Sequence, residues 1–196
     1  GLMNCRIEAG VPGKFSVYNS LMAIAISRHF DISEDIIADT LKDIKVKGRV
    51  EVVPTPGKNY SLIIDYAHNH MSLQSLLSTI REYNPKRIVT VFGCGGNRSR
   101  QRRYDCGEVS GKYADLSILT ADNPRYEDNN DIIKDILVGM EKTQGKYVIV
   151  PDRKEAIKYC MEHAQDGDII VLAGKGHEDY QEIKGIKQPM DERELI

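Results

Sequence analysis

The sequence of 196 residues contains no tryptophan, three phenylalanines and four cysteines. The cysteines form no Cys-x-x-Cys pair, which argues against a zinc site or a disulfide framework and favours reduced thiols; they are Cys5, Cys94, Cys106 and Cys160. No apolar run approaches the roughly 20 residues that a membrane-spanning helix needs. The first residues also lack the pattern of a signal peptide. We therefore expect a soluble protein of the cytoplasm.

Neither sign of charge dominates the composition. The chain has 27 Lys and Arg against 29 Asp and Glu, a formal net charge of -2. This balance gives no general attraction to nucleic acid or to an anionic membrane surface, so we expect neither as a partner. Hydrophobic residues make up 41% and charged residues 29%, which is typical of a folded globular chain. The length allows one large core, or one domain with part of another.

Two helical patterns come first in the chain. Residues 16–30 are strongly apolar, with Ser16 as the expected N-cap, and residues 33–44 are amphipathic. The first 15 residues have no initiator methionine and little pattern, so we expect the chain to be cut from a longer protein. We also expect the two helices to pack their apolar face on the rest of the chain or on a second copy.

From Lys47 onward, short apolar runs alternate with helical patterns, which predicts an α/β fold with a mostly parallel sheet and helices on both faces. A hairpin around Lys184 and Gly185, followed by the start of a helix, is predicted at the end. The predicted strands are 50–54, 60–65, 87–93, 116–120, 147–151 and 168–174, and the predicted helices lie near 71–83, 102–113, 129–142 and 153–164.

Glycine, charged residues or histidine follow five of the predicted strands. The carboxyl ends of parallel strands share one edge of a sheet, where ligands bind in open α/β folds. We therefore expect a single cleft along this edge, although such residues also serve as helix caps in strand-to-helix turns. The five segments are DYAH (65–68), GCGGNR (93–98), ADNPR (121–125), PDRKE (151–155) and GKGHED (174–179).

None of these segments is a complete phosphate-binding motif. GCGGNR lacks the third glycine of a dinucleotide fingerprint, and the lysine of GKGHED is not followed by Ser or Thr. Local alternatives remain open: a tight turn at 93–98, an Asx-Pro turn at 122–125, and helix capping by Asp65. The arginines at 98, 100, 102 and 103 form either a solvated face or contacts to a carboxylate or phosphate. Glu178 beside a backbone nest fits a bound amine.

Six segments occur in the order found in the Mur ligases: GKFSVYNSLMAIA, GRVEVV, DYAH, VFGCGGNR, TADNPR and AGKGHEDYQ. The chain resembles this family over essentially all 196 residues. DNPR with GKGHED is the specific part, and it is similar to members that add meso-diaminopimelate to a UDP-N-acetylmuramoyl dipeptide. The resemblance implies that residues 1–47 end a central ATPase domain and that 48–196 form a Rossmann-like C-terminal domain. The family's phosphate loop and magnesium ligands have no counterpart here, so we expect the chain alone to be inactive.

The resemblance also implies roles for individual residues. meso-Diaminopimelate would be bound by Arg98, Asp122, Asn123, Pro124, Arg125, Gly174 and Glu178. The distal carboxylate of the amino acid suits the Arg125 guanidinium and its distal ammonium suits the Glu178 carboxylate. ATP would be contacted by Asn19, Arg49, Asp65 and His68, with Mg²⁺ held elsewhere, and no catalytic residue or metal ligand is implied in this stretch. The whole enzyme would be a monomer that forms an acyl phosphate from ATP.

The sequence departs from the family pattern at two places. DYAHNHMSL replaces the usual DYAHTPDAL, which predicts altered capping of the next helix. GGNRSRQRR replaces GGDRDRGKR, which leaves the register of the arginines after Arg98 in doubt. The competing interpretations are a lysine-adding Mur ligase, a folylpolyglutamate-type ligase, or a module that binds an amino acid or nucleotide without catalysis.

Overall fold

The computed structural model describes residues 6–196, so Cys5 and the first five residues of the predicted segment 1–47 lie outside it. Two helices are followed by an α/β unit, a hairpin and a short 3-10 turn, Glu192–Glu194. The helices are α1 (Lys14–His29), α2 (Glu34–Asp43), α3 (His70–Arg81), α4 (Arg100–Tyr113), α5 (Asn129–Met140) and α6 (Arg153–Glu162). The strands are β1 (Glu51–Val53), β2 (Ser61–Asp65), β3 (Arg87–Phe92), β4 (Leu116–Leu119), β5 (Tyr147–Ile149), β6 (Asp168–Ala173), β7 (Tyr180–Ile183) and β8 (Ile186–Pro189).

Six strands form one sheet in the order β1-β2-β6-β3-β4-β5. Strand β1 runs antiparallel to β2, while every other neighbouring pair is parallel. Strand β6 lies between β2 and β3, with Val171 opposite both Ile63 and Thr90. The predicted mostly parallel sheet is confirmed. Its topology places the carboxyl ends of β2, β6, β3 and β4 side by side.

The sheet has a buried core on each face, because the side chains of a strand alternate between its two sides. Leu62 and Ile64 pack with α6 residues such as Ile157 on one face. Ile63 packs on the other face with residues of α3, α4 and α5, including Leu77 and Ile132. The predicted helices on both faces of the sheet are therefore confirmed.

The two N-terminal helices differ in burial, since α2 buries Ile37 and Leu41 whereas α1 is largely exposed. Within the described part of the chain, α1 buries none of its residues, and Phe15, Met22 and Phe30 are exposed. Helix α1 therefore does not pack on the rest of the chain among residues 6–196, and the other expected alternative, packing on a second copy, stays a prediction. Despite its apolar character, neither α1 nor any other helix among residues 6–196 has the length and apolarity to cross a membrane.

The start of α1 and the end of the chain differ in how well they were predicted. Helix α1 begins after Gly13, and Ser16 is inside its first turn, where its hydroxyl donates to the Pro12 carbonyl. Ser16 is therefore not the N-cap. The predicted hairpin is confirmed as β7 and β8, with Lys184 and Gly185 at the turn, both at positive φ. The helix predicted after it is only the 3-10 turn.

Candidate functional site

A cavity of about 140 Å³ lies at the carboxyl edge of the sheet. Four of the five predicted strand-end segments contribute to it, those that follow β2, β3, β4 and β6. The lining residues are Tyr66, His68, Gly95, Arg98, Arg102, Asp122, Asn123, Arg125, Gly174 and Glu178. The structure therefore brings together all the residues predicted for the amino acid except Pro124, which is buried beside the cavity.

The fifth strand-end segment, 151–155, has a structural role. Arg153 is fully buried and its Nε donates to Glu192 Oε1 at 2.7 Å. Its two Nη atoms donate to the carbonyls of Ala121 at 3.1 Å and Ala173 at 2.9 Å. The prediction that all five strand ends line one cleft is wrong for this segment, because Arg153 is used to join the ends of β4 and β6.

The glycine-rich segment 93–98 packs directly against the DNPR segment. Gly96 N donates to the Asn123 carbonyl at 2.9 Å. A Cβ atom on Gly96 would lie 1.9 Å from the Pro124 carbonyl oxygen, and one on Gly95 would lie 2.9 Å from Arg125 Nη1. Side chains at these positions would push the two loops apart. The two glycines therefore allow the close approach of these two loops.

The arginines after this segment have different environments. Arg103 is buried and pairs with Asp135 at 2.9 Å and Glu127 at 2.8 Å. Arg102 donates two hydrogen bonds to the His68 carbonyl, at 3.1 and 2.8 Å. Arg98 is exposed at the cavity. Arg98 and Arg102 thus both line the cavity, and Arg98 is the more exposed of the two, whereas Arg103 is buried in ion pairs.

Arg125 is held by two neighbours. Its Nε donates to Glu182 Oε2 at 3.2 Å and its Nη1 donates to the Gly96 carbonyl at 2.8 Å. Its backbone has φ 53, a left-handed conformation that is uncommon for a residue with a side chain. Within residues 6–196 its Nη2 donates no hydrogen bond. One edge of the guanidinium therefore remains available toward the cavity.

Glu178 contributes a carboxylate to the same cavity as Arg125, and one of its two oxygens is already hydrogen-bonded within the protein. Its Oε2 accepts hydrogen bonds from Lys175 Nζ at 2.8 Å and Asn123 Nδ2 at 3.0 Å. Its Oε1 has one long contact, 3.4 Å from the Tyr66 hydroxyl. Burial alone raises the pKa of the Glu178 carboxyl, but these hydrogen bonds outweigh it and leave the pKa below its ordinary value. Glu178 is thus ionised at neutral pH, with one oxygen available.

Asp65 is buried and fixes the backbone around it. Its Oδ2 accepts from Val50 N at 2.7 Å and its Oδ1 accepts from Ala67 N at 2.8 Å. Burial raises the pKa of Asp65 despite these bonds. Helix α3 is capped instead by Asn69, which forms a capping box with Ser72. Helix capping by Asp65 is therefore excluded, and whether capping by Asn69 differs from that in the family stays a prediction.

Of the other residues predicted for ATP, Arg49 and His68 lie near Asp65 around the Tyr66 ring, whereas Asn19 lies apart. The Arg49 guanidinium lies 5.2 Å from the centre of the Tyr66 ring. His68 lines the same cavity as Arg125 and Glu178, so it shares the space predicted for the amino acid. Asn19 is exposed on α1 and is not among the cavity residues.

Residues 48–176 match the family model described as "Mur ligase, glutamate ligase domain". The match covers more than half of the chain and includes the strands that carry the cavity. The chain belongs to the Mur ligase family. The predicted family resemblance is confirmed.

Relatives of this Mur ligase chain are similar over nearly its whole length. It is 45% identical over 191 residues to the UDP-N-acetylmuramoyl-L-alanyl-D-glutamate--2,6-diaminopimelate ligase of Caldanaerobacter subterraneus, covering 97% of this chain and 39% of that protein. It is 43% identical over 184 residues to the ligase of the same name from Aquifex aeolicus, covering 94% and 38%. The chain therefore spans about two fifths of the length of these relatives.

Solved structures share the fold. One of a UDP-N-acetylmuramoyl-L-alanyl-D-glutamate--2,6-diaminopimelate ligase superposes with a TM-score of 0.73 at 34% identity, over 96% of this chain and 39% of that one. A folylpolyglutamate synthase from Mycobacterium tuberculosis, complexed with ADP and AMPPCP, gives a TM-score of 0.68 at 18% identity, over 86% and 39%. The second likeness concerns the fold alone.

Sequence reasoning missed several residues in and around the cavity. Lys175 is fully buried, and its Nζ donates to Asn123 Oδ1 at 2.9 Å as well as to Glu178. Tyr66 lines the cavity, and Glu182 contacts Arg125 from the hairpin. A lysine between two glycines at a strand end was the one local signal for Lys175. Tyr66 is part of the DYAH segment, and Glu182 follows GKGHED by three positions without any local signal of its own.

The segment before the sheet is tied to the GKGHED turn. Tyr66 N donates to the Gly48 carbonyl at 2.9 Å, and a Cβ atom on Gly48 would lie 2.3 Å from the Gly176 carbonyl carbon. Both glycines have positive φ, 72 and 52. Arg193 joins the same two segments, because it donates to Glu51 Oε1 at 2.9 Å and to the Gly176 carbonyl at 3.0 Å. The chain around Gly48 is thus fixed against the cavity loop.

Proposed function

We propose that this chain is the amino-acid-binding part of a full-length Mur ligase that adds meso-diaminopimelate to UDP-N-acetylmuramoyl-L-alanyl-D-glutamate. One observation carries the proposal. Arg125 and Glu178 line the same cavity, and each has hydrogen-bonding capacity that the protein leaves unused. The distal end of meso-diaminopimelate carries a carboxylate and an ammonium, which are the partners these two groups require.

The proposed contacts divide by charge. The unused Nη2 of Arg125 and the exposed guanidinium of Arg98 take the distal carboxylate. The Oε1 of Glu178 takes the distal ammonium, with Gly174 beside it at the cavity wall. Asp122, Asn123 and Pro124 shape the loop that presents Arg125. A lysine substrate has no distal carboxylate, so it leaves the arginines without a partner.

In the full-length ligase, the γ-phosphoryl group of ATP is transferred to the substrate carboxylate, which gives an acyl phosphate and ADP. The free amine of the amino acid then attacks the acyl carbon, phosphate leaves, and the amine loses a proton. The cavity contributes by holding the distal end of the amino acid, so that the other amine is presented to the acyl phosphate. The use of ATP fits the expected location in the cytoplasm, and the expected monomeric state stays a prediction.

Most of the residues predicted to contact ATP are not among those that line the cavity. Contacts of Asn19, Arg49, Asp65 and His68 with ATP stay predictions, as does the division of the chain after Lys47. Among residues 6–196, no group of three His, Cys, Asp or Glu side chains is arranged to hold a metal ion. We propose that magnesium is held by the rest of the ligase.

The proposal is tested by replacing Arg125 in the full-length ligase and measuring kcat/KM for meso-diaminopimelate and for L-lysine. Arg125→Ala should cost about 2–5 kcal/mol of transition-state stabilisation with meso-diaminopimelate, because the distal carboxylate is left in the site without a charged partner. L-Lysine should lose far less. Arg125→Lys should recover part of the loss, because an ammonium does not reproduce the planar guanidinium. Equal losses for both amino acids would show that Arg125 only maintains the loop.

A further inference from the structure

Hairpin β7–β8 is bound to the DNPR segment as though that segment were a third strand. Arg125 N donates to the Glu182 carbonyl at 3.0 Å, and Lys184 N donates to the Arg125 carbonyl at 2.6 Å. Glu182 N donates to Asn123 Oδ1 at 2.8 Å, and Gln181 Nε2 donates to the Asp122 carbonyl at 2.8 Å. The hairpin therefore contacts three of the four residues of the DNPR segment.

These contacts hold Arg125 in an unfavourable backbone conformation. Its φ of 53 lies in the left-handed region, which a residue with a side chain occupies only when its surroundings fix it there. Both the N–H and the carbonyl of Arg125 are bonded to the hairpin, at Glu182 and Lys184. The backbone of the hairpin thus sets the direction in which the Arg125 side chain leaves the loop.

The side chain of Glu182 then sets the plane of the guanidinium. It accepts from Nε at 3.2 Å on one side, while Nη1 is bonded to the Gly96 carbonyl on the other. Together with the covalent attachment at Cδ, these two hydrogen bonds restrict the orientation of the planar guanidinium. The edge that carries Nη2 is the part left for the cavity. Both side chains are only 24% exposed, so solvent screens the ion pair less than it would at the surface.

We propose that Glu182 is a positioning residue for amino-acid selection, which acts by orienting Arg125 toward the distal carboxylate of the substrate. This inference rests on the proposed function. Glu182 and the whole hairpin lie outside residues 48–176, the range matched by the family model. That position fits a role in selecting the amino acid better than a role in chemistry shared by the family.

The test uses the full-length ligase with Glu182→Ala and Glu182→Gln, assayed with meso-diaminopimelate and L-lysine. Glu182→Ala should raise the KM for meso-diaminopimelate about tenfold, the effect of a charge-assisted hydrogen bond, while kcat stays nearly unchanged. The KM for L-lysine should not change. Glu182→Gln should show a smaller increase, because the amide oxygen still accepts from Nε. Gln188→Ala, at an exposed position on the paired strand, is the control and should behave as wild type.

The double variant Arg125→Ala with Glu182→Ala separates this inference from the proposed function. If Glu182 acts through Arg125, the double variant should match Arg125→Ala alone. Additive losses, an unchanged KM for meso-diaminopimelate in Glu182→Ala, or equal losses for both amino acids would overturn the role of Glu182. If Arg125→Ala retains selectivity between the amino acids, the proposed pocket itself is wrong.

Discussion

The buried pair of Arg153 and Glu192 leads to a prediction that depends on the fold alone. Both side chains have 0% exposure, and the guanidinium also holds the carbonyls of Ala121 and Ala173. Glu192→Ala would leave the arginine charge buried without a carboxylate. Removing one partner of a buried ion pair typically costs about 3–5 kcal/mol. Because a domain of this size loses about 2–4 °C of Tm per kcal/mol, Tm should fall by roughly 10 °C.

The assay is thermal and urea unfolding of the 196-residue chain, followed by circular dichroism and by tyrosine fluorescence, since the sequence has no tryptophan. The control is Glu194→Ala, at an exposed position of the same 3-10 turn, which should change the free energy of unfolding by less than about 0.5 kcal/mol. Arg153→Met with Glu192→Leu should recover only part of the loss, because two carbonyls still lack donors. A loss below about 1 kcal/mol for Glu192→Ala would refute the argument.

Two further predictions concern other parts of the same chain. Asn69→Ala should lower the free energy of unfolding by about 1 kcal/mol, while Asn69→Asp should stay close to wild type, because aspartate also caps a helix; equal losses in urea unfolding would contradict the capping box. Hydrogen bonds from Arg193 lower the pKa of Glu51 from its ordinary value of 4.5. The ionised Glu51 therefore stabilises the fold above pH 4.5, and this stabilisation disappears as the pH falls through the lower pKa of the folded state. Wild type should therefore lose more stability than Glu51→Gln between pH 7 and pH 3, and parallel losses would contradict this.

The order and type of the elements were predictable because each depends on local patterning. The strands from 60 to 174 are short, apolar and separated by helix-length segments, and this alternation is sufficient for a parallel sheet. The start of α1 was not predictable in the same way. Ser16 is a good capping residue, but the helix begins earlier, after Gly13. Capping preference alone therefore did not locate the start of this helix.

The composition of the site was predictable only in part. Motif residues such as Arg125 and Glu178 follow strands whose carboxyl ends converge, so their proximity follows from topology. Their partners come from distant positions: Lys175 contacts Asn123, and Glu182 contacts Arg125. Nothing in the spacing of these residues specifies such pairs. Arg153 has the same local character as the cavity residues, and only the fold shows that it is buried against Glu192.

The contact between Gly48 and Gly176 determines where the chain can act as a hinge. The backbone at Gly48 is tied to the sheet, because its carbonyl accepts from Tyr66 N and its N–H donates to Glu51 Oε2. Helix α2 ends at Asp43. If the two N-terminal helices rotate relative to the sheet, residues 44–46 are the segment in which the chain would bend, and the loop with Glu178 would then move together with the sheet.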